Sequence, residues 1–294
     1  MRIKMEWNKY YEDQKVKPYA FEKRKDLYEV SLPEETKEIG VYAFSECRNL
    51  KRIKLPYTIW KIGAHAFYNC RGLECVTLSA QIKEIEDGAF KNCDGIKEII
   101  IENADPHQLN ILHLLLFEIT QCVKVTLLFS DGTAVLVFPA YHYSYVANEP
   151  ARIFSEVSHG AGVSFRECFQ QKEVNFRGYD QNFLKAVREE SFETVLTLAE
   201  NRVLFPYQIT KEAKNQYILW LRESTEKLIQ YHANNQEIEI LEKLADAEVL
   251  IEKWLDRAAE IATQIEKPAC TAVLLQIKRR LNTNKKKKYK FFDL

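Results

Sequence analysis

The stretch Ile39-Gly40-Val41-Tyr42-Ala43-Phe44-Ser45-Glu46-Cys47-Arg48-Asn49-Leu50-Lys51-Arg52-Ile53-Lys54-Leu55-Pro56 decides the fold, because its pattern is written again downstream. Ile39-Gly40 returns as Ile62-Gly63 and as Ile85-Glu86. Ala43-Phe44 returns as Ala66-Phe67 and Ala89-Phe90, and Cys47 as Cys70 and Cys93. Leu50, Ile53 and Leu55 return as Leu73, Val76 and Leu78, then as Ile96, Ile99 and Ile101. Every step has the same length, the one that carries Cys47 to Cys70 and Cys70 to Cys93. One step upstream lies a worn copy, Val16, Ala20-Phe21, Leu27, Val30 and Leu32, with Arg24 where the cysteine would stand. A period of this length marks a solenoid: no single copy buries its apolar face, so neighbours stack into one core.

Spacing assigns roles within each copy. Ile53 and Leu55 are two apart, so both point to one side of a strand, into the core. Phe44, Phe67 and Phe90 should stack as an aromatic ladder, with Cys47, Cys70 and Cys93 as a parallel one. A strand spacing of about 4.8 Å permits a disulfide by distance alone. Zinc sites gather ligands in short C-x-x-C-like units, unlike this long ladder. Buried, reduced thiols acting as small apolar groups fit it best. The residues flanking the core positions face outward and are the candidate partner-binding set: Tyr28, Glu29, Lys51, Arg52, Lys54, Glu74, Thr77, Lys97 and Glu98. Ser31, Cys75 and Ile100 complete those rows.

The motif L-x-x-L-x-L, set in I-G-x-x-A-F-x-x-C-x-x-L-x-x-I-x-L-P, resembles the BspA-like leucine-rich repeat family. Ile39–Pro56 and Ile62–Leu78 carry the resemblance best, and it covers about residues 16–102. It implies a short solenoid used for protein recognition, with the concave sheet face as the ligand surface. Surface members of that family bind host or matrix proteins.

The chain has 294 residues with 42 basic and 42 acidic side chains, and 46% of it is hydrophobic. That composition is globular, and the length predicts about two domains. The N-terminus, Met1 to Tyr10, is interrupted by charges and has no apolar h-region. No apolar run approaches the roughly 20 residues of a membrane span. The seven cysteines are an odd number. Together these features predict a soluble, cytoplasmic protein with reduced thiols and no membrane partner. Charge is unevenly placed. Lys278 to Leu294 holds eight basic side chains against one acid, which leaves Met1 to Ile277 at about −7. The run Lys285–Lys290, with Tyr289, Phe291 and Phe292 near it, is a candidate nucleic-acid contact. The acidic body opposes a phosphate backbone, so this reading ranks second to a protein partner.

After Glu102 the regular pattern is no longer legible. His107 to Phe117 reads as a helix. Val123–Phe129 and Ala134–Phe138, joined through Ser130-Asp131-Gly132-Thr133, read as a hairpin that caps the solenoid. Pro139 to Asp180 reads as a loop-rich connector. From Asn182 the period is helical, with short connections that predict antiparallel neighbours. Leu228–Tyr231, Ile238–Leu244 and Ala258–Leu275 resemble the paired-helix units of ankyrin-like arrays. The order of parts also resembles bacterial intracellular proteins that join BspA-like repeats to a helical tail. His159 and Cys168 are the candidates for catalysis, without a Gly-x-Ser-x-Gly, His-Glu-x-x-His or Walker sequence around them. The six histidines are scattered and form no ligand cluster in sequence. The expected fold class is α+β: a short leucine-rich-repeat solenoid capped by a β-hairpin, then an antiparallel helical array. The expected domains are residues 1–138, a connector at 139–180, helices at 181–281 and a basic tail at 282–294. The expected function is protein–protein interaction, with no catalytic residue, metal or cofactor assigned.

Overall fold

The computed structural model describes residues 9–148, 153–170 and 172–290. The chain forms two compact units, Met1–Val195 and Leu196–Leu294.

The first unit contains a β-solenoid whose first four coils each place one strand in each of two sheets. One sheet is built from two-residue strands, in the order Tyr11–Glu12, Lys15–Val16, Glu38–Ile39, Lys61–Ile62, Glu84–Ile85. The other runs Thr133–Phe138, Val123–Leu128, Glu98–Glu102, Cys75–Ser79, Arg52–Lys54, Glu29–Ser31. The coils stack in parallel and in register, so like pairs with like: Val30 with Ile53, Ile53 with Val76, Val76 with Ile99. Period-two alternation puts these residues inside and their neighbours outside.

Between the two strands of each coil the chain turns through the Ala-Phe-x-x-Cys segment. Phe21, Phe44, Phe67 and Phe90 are 0% exposed. Their rings stack in one column with centroids 4.9, 5.2 and 5.0 Å apart. The thiols of Cys47, Cys70 and Cys93 each donate to the carbonyl of the phenylalanine one coil back, Phe21, Phe44 and Phe67, at 3.0 Å. Burial pushes the Cys47 thiol well up. The neighbouring Cys93 thiol, followed by burial, does the same to Cys70. The turn needs two left-handed residues per coil: Tyr19 and Lys23, Tyr42 and Glu46, His65 and Asn69, Gly88 and Asn92, all at φ between 54° and 65°. At Gly88 a side chain would also strike the His65 ring, whose Nδ1 stands in the way of a Cβ.

The repeat does not end at Glu102, and this corrects the sequence reading. Val123–Leu128 pairs in parallel with Glu98–Glu102, Val125 opposite Ile99 and Leu127 opposite Ile101. The step from Ile99 to Val125 is longer than the one from Val76 to Ile99, because the turn has become the helix Asn110–Glu118. Buried Leu116 and Ile119 stand the same longer step after Phe90 and Cys93. The helix starts at Asn110 rather than His107, because Asp105 Oδ1 first accepts the His107 N–H in a tight turn. Only the second half of the expected hairpin caps the sheet: Thr133–Phe138 runs antiparallel to Val123–Leu128. The Tyr179 hydroxyl both accepts from Val137 N–H and donates to Val137 C=O, at 2.8 and 2.7 Å, which occupies that edge. Residues after Pro139 are more regular than expected, with antiparallel strands His142–Asn148 and Ile153–His159 and helices Gly162–Arg166 and Phe176–Gln181.

Buried Arg166 secures this end. Its guanidinium donates to the carbonyls of Leu116, Ile119, Gln121, Pro139 and Gly162, the first of them in the last turn of the helix Asn110–Glu118 and the next two just after it. It stacks over Tyr141, 4.6 Å from the ring centre. Burial lowers its pKa to about 10, so it stays charged at neutral pH.

The second unit is helical: Lys211–Glu223, Thr225–Asn235, Glu239–Asp246, Glu252–Gln264 and Pro268–Lys290 follow the end of the helix Phe192–Leu204. Thr210 opens the first of these, its hydroxyl accepting from Ala213 N–H. Leu221, Leu228, Leu241, Leu244, Leu255 and Leu274 fill the core. Buried His232 joins buried Glu200 at 2.7 Å and the more exposed Glu237 at 3.2 Å. The backbone of Lys285–Lys290 lies on the last helix, while Phe291 and Phe292 fall outside the described residues.

Candidate functional site

Alternation along the strands of the six-stranded sheet builds the outward face. Ile53 is 2% exposed, and Arg52 and Lys54 on either side of it are exposed. Parallel registration then stacks such flanking positions into rows. Glu29, Arg52, Cys75, Glu98 and Lys124 form one row, and Ser31, Lys54, Thr77, Ile100 and Thr126 a second. A third row precedes the strands. There the Lys51 N–H donates to Tyr28 C=O, Glu74 N–H to Lys51 C=O and Lys97 N–H to Glu74 C=O. The fold therefore brings the whole candidate set onto one face. Lys124 and Glu102 belong to it too. Sequence reasoning missed Lys124 because its coil is offset by the longer step. The signal available was Val123-x-Val125-x-Leu127, which repeats the apolar alternation of Ile99-x-Ile101.

Ion pairs tie the coils together across this face. Lys51 meets Glu74 at 2.7 Å, Lys54 reaches Glu102 at 2.6 Å and Lys124 meets Glu98 at 2.8 Å. The Lys51 ammonium holds the Glu74 carboxyl below the usual carboxylate range. Cys75 is half-buried, and burial pushes its thiol up. Arg52 differs: among the described residues its guanidinium has no ion pair or hydrogen bond, and Tyr28 beside it is 52% exposed. A free planar donor fork next to an open phenol ring is equipped to bind.

The two candidates for catalysis are placed differently. The Cys168 thiol is buried, donates to Ser164 C=O at 3.3 Å and accepts from Asn182 Nδ2 at 3.3 Å. Burial raises its pKa to about 11, which keeps it from being a thiolate nucleophile at neutral pH. His159 stacks on the His142 ring with centroids 4.9 Å apart. Among the described residues no three His, Cys, Asp or Glu side chains gather as metal ligands would. No described helix is long and apolar enough to cross a membrane.

Residues 14–130 match, in six copies, the family described as BspA type Leucine rich repeat region. The match reaches one coil beyond the legible regular pattern and includes Val123–Leu128. Among solved structures, the chain is similar to a leucine rich cell surface protein from Faecalibacterium prausnitzii A2-165. Identity is 24% over 31% of this chain and 30% of that chain, with a TM-score of 0.27. It is also similar to the leucine rich repeat protein of T. pallidum, at 28% identity over 29% of this chain and 51% of that chain, with a TM-score of 0.24. The chain thus spans about a third to a half of the length of these relatives. No curated protein matches it.

Proposed function

We propose that this chain is a protein-interaction module that acts without catalysis and binds its partner through the outward face of the six-stranded sheet. The contact residues are Tyr28, Glu29, Lys51, Arg52, Lys54, Glu74, Thr77, Lys97 and Glu98, with Lys124 added by the structure. The observation that carries this reading is the contrast within the face: Lys51, Lys54 and Lys124 are neutralised by neighbouring coils, while Arg52 and Tyr28 remain open. Five strands, Glu29–Ser31 to Val123–Leu128, keep exposed or half-exposed outward positions, and at about 4.8 Å spacing they make the face about 19 Å wide. Free thiols at Cys47, Cys70 and Cys93 support a reducing, cytoplasmic setting. The likeness of the helical unit to ankyrin-like pairs suggests a secondary contact surface there.

The test is a photo-crosslinking side chain placed at Ser31, which is exposed on the same face, followed by identification of the captured protein and measurement of its affinity. Arg52→Glu should weaken that complex at least about tenfold, or ~1.4 kcal/mol. It should change stability by no more than about 0.5 kcal/mol, as at other surface sites. Unchanged affinity would remove the outward face from consideration.

A further inference from the structure

In the six-stranded sheet each coil bonds one coil back. Arg52 N–H donates to Tyr28 C=O, Cys75 N–H to Lys51 C=O and Glu98 N–H to Glu74 C=O, at 3.4, 3.2 and 3.1 Å. The residues before them, Lys51, Glu74 and Lys97, donate to the same three carbonyls at 2.8, 2.8 and 2.9 Å. In the return direction Thr77 C=O accepts from Leu55 N–H at 2.9 Å. Tyr28, Glu29 and Ser31 hold these places in the first coil. Among the described residues nothing accepts from the N–H groups of Tyr28 and Glu29, and nothing donates to Ser31 C=O. Glu29–Ser31 is the last strand of this sheet, and its outer edge is open to a further one.

Charges on this solenoid meet opposite charges on the neighbouring coil. In the sheet of two-residue strands the registered series Lys15, Glu38, Lys61, Glu84 alternates in sign. Lys15 meets Glu38 at 2.8 Å and Lys61 meets Glu84 at 3.2 Å. On the outward face Lys51 and Lys124 meet Glu74 and Glu98 in the same way. Glu29 is exposed and has no ion pair among the described residues; its registered neighbour Arg52 makes none with it. A strand on the open side with a cation opposite Glu29 would satisfy both the backbone and the carboxylate.

The chain beside this edge already runs along the first coil in reverse. Tyr11–Glu12 lies antiparallel to Lys15–Val16 in the other sheet. One residue upstream, Tyr10 C=O accepts from Lys17 N–H at 2.9 Å, and the Tyr10 ring stacks on Phe21 with centroids 4.6 Å apart. The Tyr10 hydroxyl accepts from Arg24 at 3.4 Å. Moving upstream therefore leads from the small sheet, over the phenyl column, toward Glu29–Ser31. Residues 1–8 come next and read Met-Arg-Ile-Lys-Met-Glu-Trp-Asn, apolar at every odd place and polar or charged at every even one. That is the period of a strand with one buried face. Fully extended, eight residues reach about 27 Å, more than a three-residue edge requires. We propose that residues 1–8 add to Glu29–Ser31 as an antiparallel strand, with Lys4 opposite Glu29 and Ile3 opposite Val30, so that one continuous segment closes both sheets at this end. Thr133–Phe138 closes the far end of the six-stranded sheet in the same antiparallel sense. Ile3 prolongs the row Val30, Ile53, Val76, Ile99. Its covalent link to Tyr10 holds the segment at an effective concentration on the order of millimolar, which a second copy or a foreign peptide has to match. Once closed, the edge is no longer a template for strand addition.

The experiment is nuclear magnetic resonance on the full chain. In this register Ile3 and Val30 form a non-hydrogen-bonded pair, in which the α-protons face each other. A nuclear Overhauser contact between those two α-protons is expected, and in a mixture of isotope-labelled and unlabelled chains it should arise within one chain. The Glu29 amide should be protected from hydrogen exchange. Deleting residues 1–8 should speed its exchange at least about tenfold more than that of the Lys51 amide, whose acceptor Tyr28 C=O is retained. In the full chain Glu29→Lys should speed exchange at the Ser31 amide about threefold, the worth of a cross-strand charge pair, and adding Lys4→Glu should restore it. Absence of the Ile3–Val30 contact, its appearance only between labelled and unlabelled chains, or an equal effect of the deletion on Glu29 and Lys51 would each overturn the proposal. Failure of Lys4→Glu to restore protection in the Glu29→Lys chain would overturn the pairing of Lys4 with Glu29.

Discussion

Replacing Phe67 by alanine removes the middle of the phenyl column. The ring is fully buried and stacks on Phe44 at 5.2 Å and on Phe90 at 5.0 Å. A phenylalanine side chain buries about 150–250 Å², and at ~25 cal/mol per Å² the transfer loss is about 3–5 kcal/mol once the alanine methyl is discounted. The two ring pairs add about 0.5–1.5 kcal/mol each. Relaxation should recover little of this. The backbone on both sides is fixed by bonds from Phe44 N–H to Ala66 C=O and from Phe67 N–H to Ala89 C=O, at 2.7 and 2.8 Å. The expected cost is ~5 kcal/mol. Because two units need not unfold together, a single melting midpoint would blur the effect. Native-state hydrogen exchange at the Phe44 and Phe67 amides reads the first unit directly. Protection there should fall by between three and four orders of magnitude, at about 1.4 kcal/mol per factor of ten. Tyr57→Ala, at a side chain 63% exposed, should change it by no more than about 0.5 kcal/mol. A loss under about 1 kcal/mol for Phe67→Ala would show that the column does not carry the solenoid.

Cys47, Cys70 and Cys93 should react slowly with a thiol reagent in the folded chain and fast after denaturation; rapid labelling of all three in the native state would contradict the thiol–carbonyl ladder. Glu200 is buried beside His232, and burial raises its pKa above the ordinary carboxylate value of 4.5. The folded state then holds a proton that the unfolded chain has released. The resulting stabilisation is full below pH 4.5 and is lost as pH rises through the raised folded value. Glu200→Gln should flatten that part of the second unit's stability–pH curve, and an identical slope in both proteins would refute the assignment. Removing residues 282–294 should leave the thermal midpoint nearly unchanged. Any DNA or RNA binding should vanish with them and fall steeply with salt, whereas salt-insensitive binding that survives truncation would exclude the basic run as its source.

The columns of the solenoid were legible because one residue type recurs at one spacing: four phenylalanines and three cysteines need no structure to be aligned. The outward set was legible for the same reason, since strand alternation converts a known core position into two known surface positions. The fifth coil was not, because inserting a helix at Asn110–Glu118 breaks the spacing while keeping the apolar alternation. Left-handed Tyr42 and Glu46 were also invisible, because neither residue type advertises a positive φ. Asn69, Asn92 and Gly88 at the equivalent positions did hint at it. Arg166 reads as a surface charge in sequence. Its role depends on carbonyls far away along the chain, from Leu116 to Gln121, that converge only when the helical coil closes. The partnering of Lys54 with Glu102 skips a strand, so strand-by-strand registration alone does not reveal it.

The alternation of Lys15, Glu38, Lys61 and Glu84 gives the solenoid two periods at once. Shape repeats with every coil, but charge repeats only with every second one. A gene duplication that added one coil in the middle would preserve the phenyl and thiol columns and set like charges directly opposite each other, which is destabilising in a sheet. Adding coils in pairs would preserve both patterns. On this ladder, then, the smallest addition that leaves every charge facing its opposite is a pair of coils, although the smallest addition that preserves the core is one.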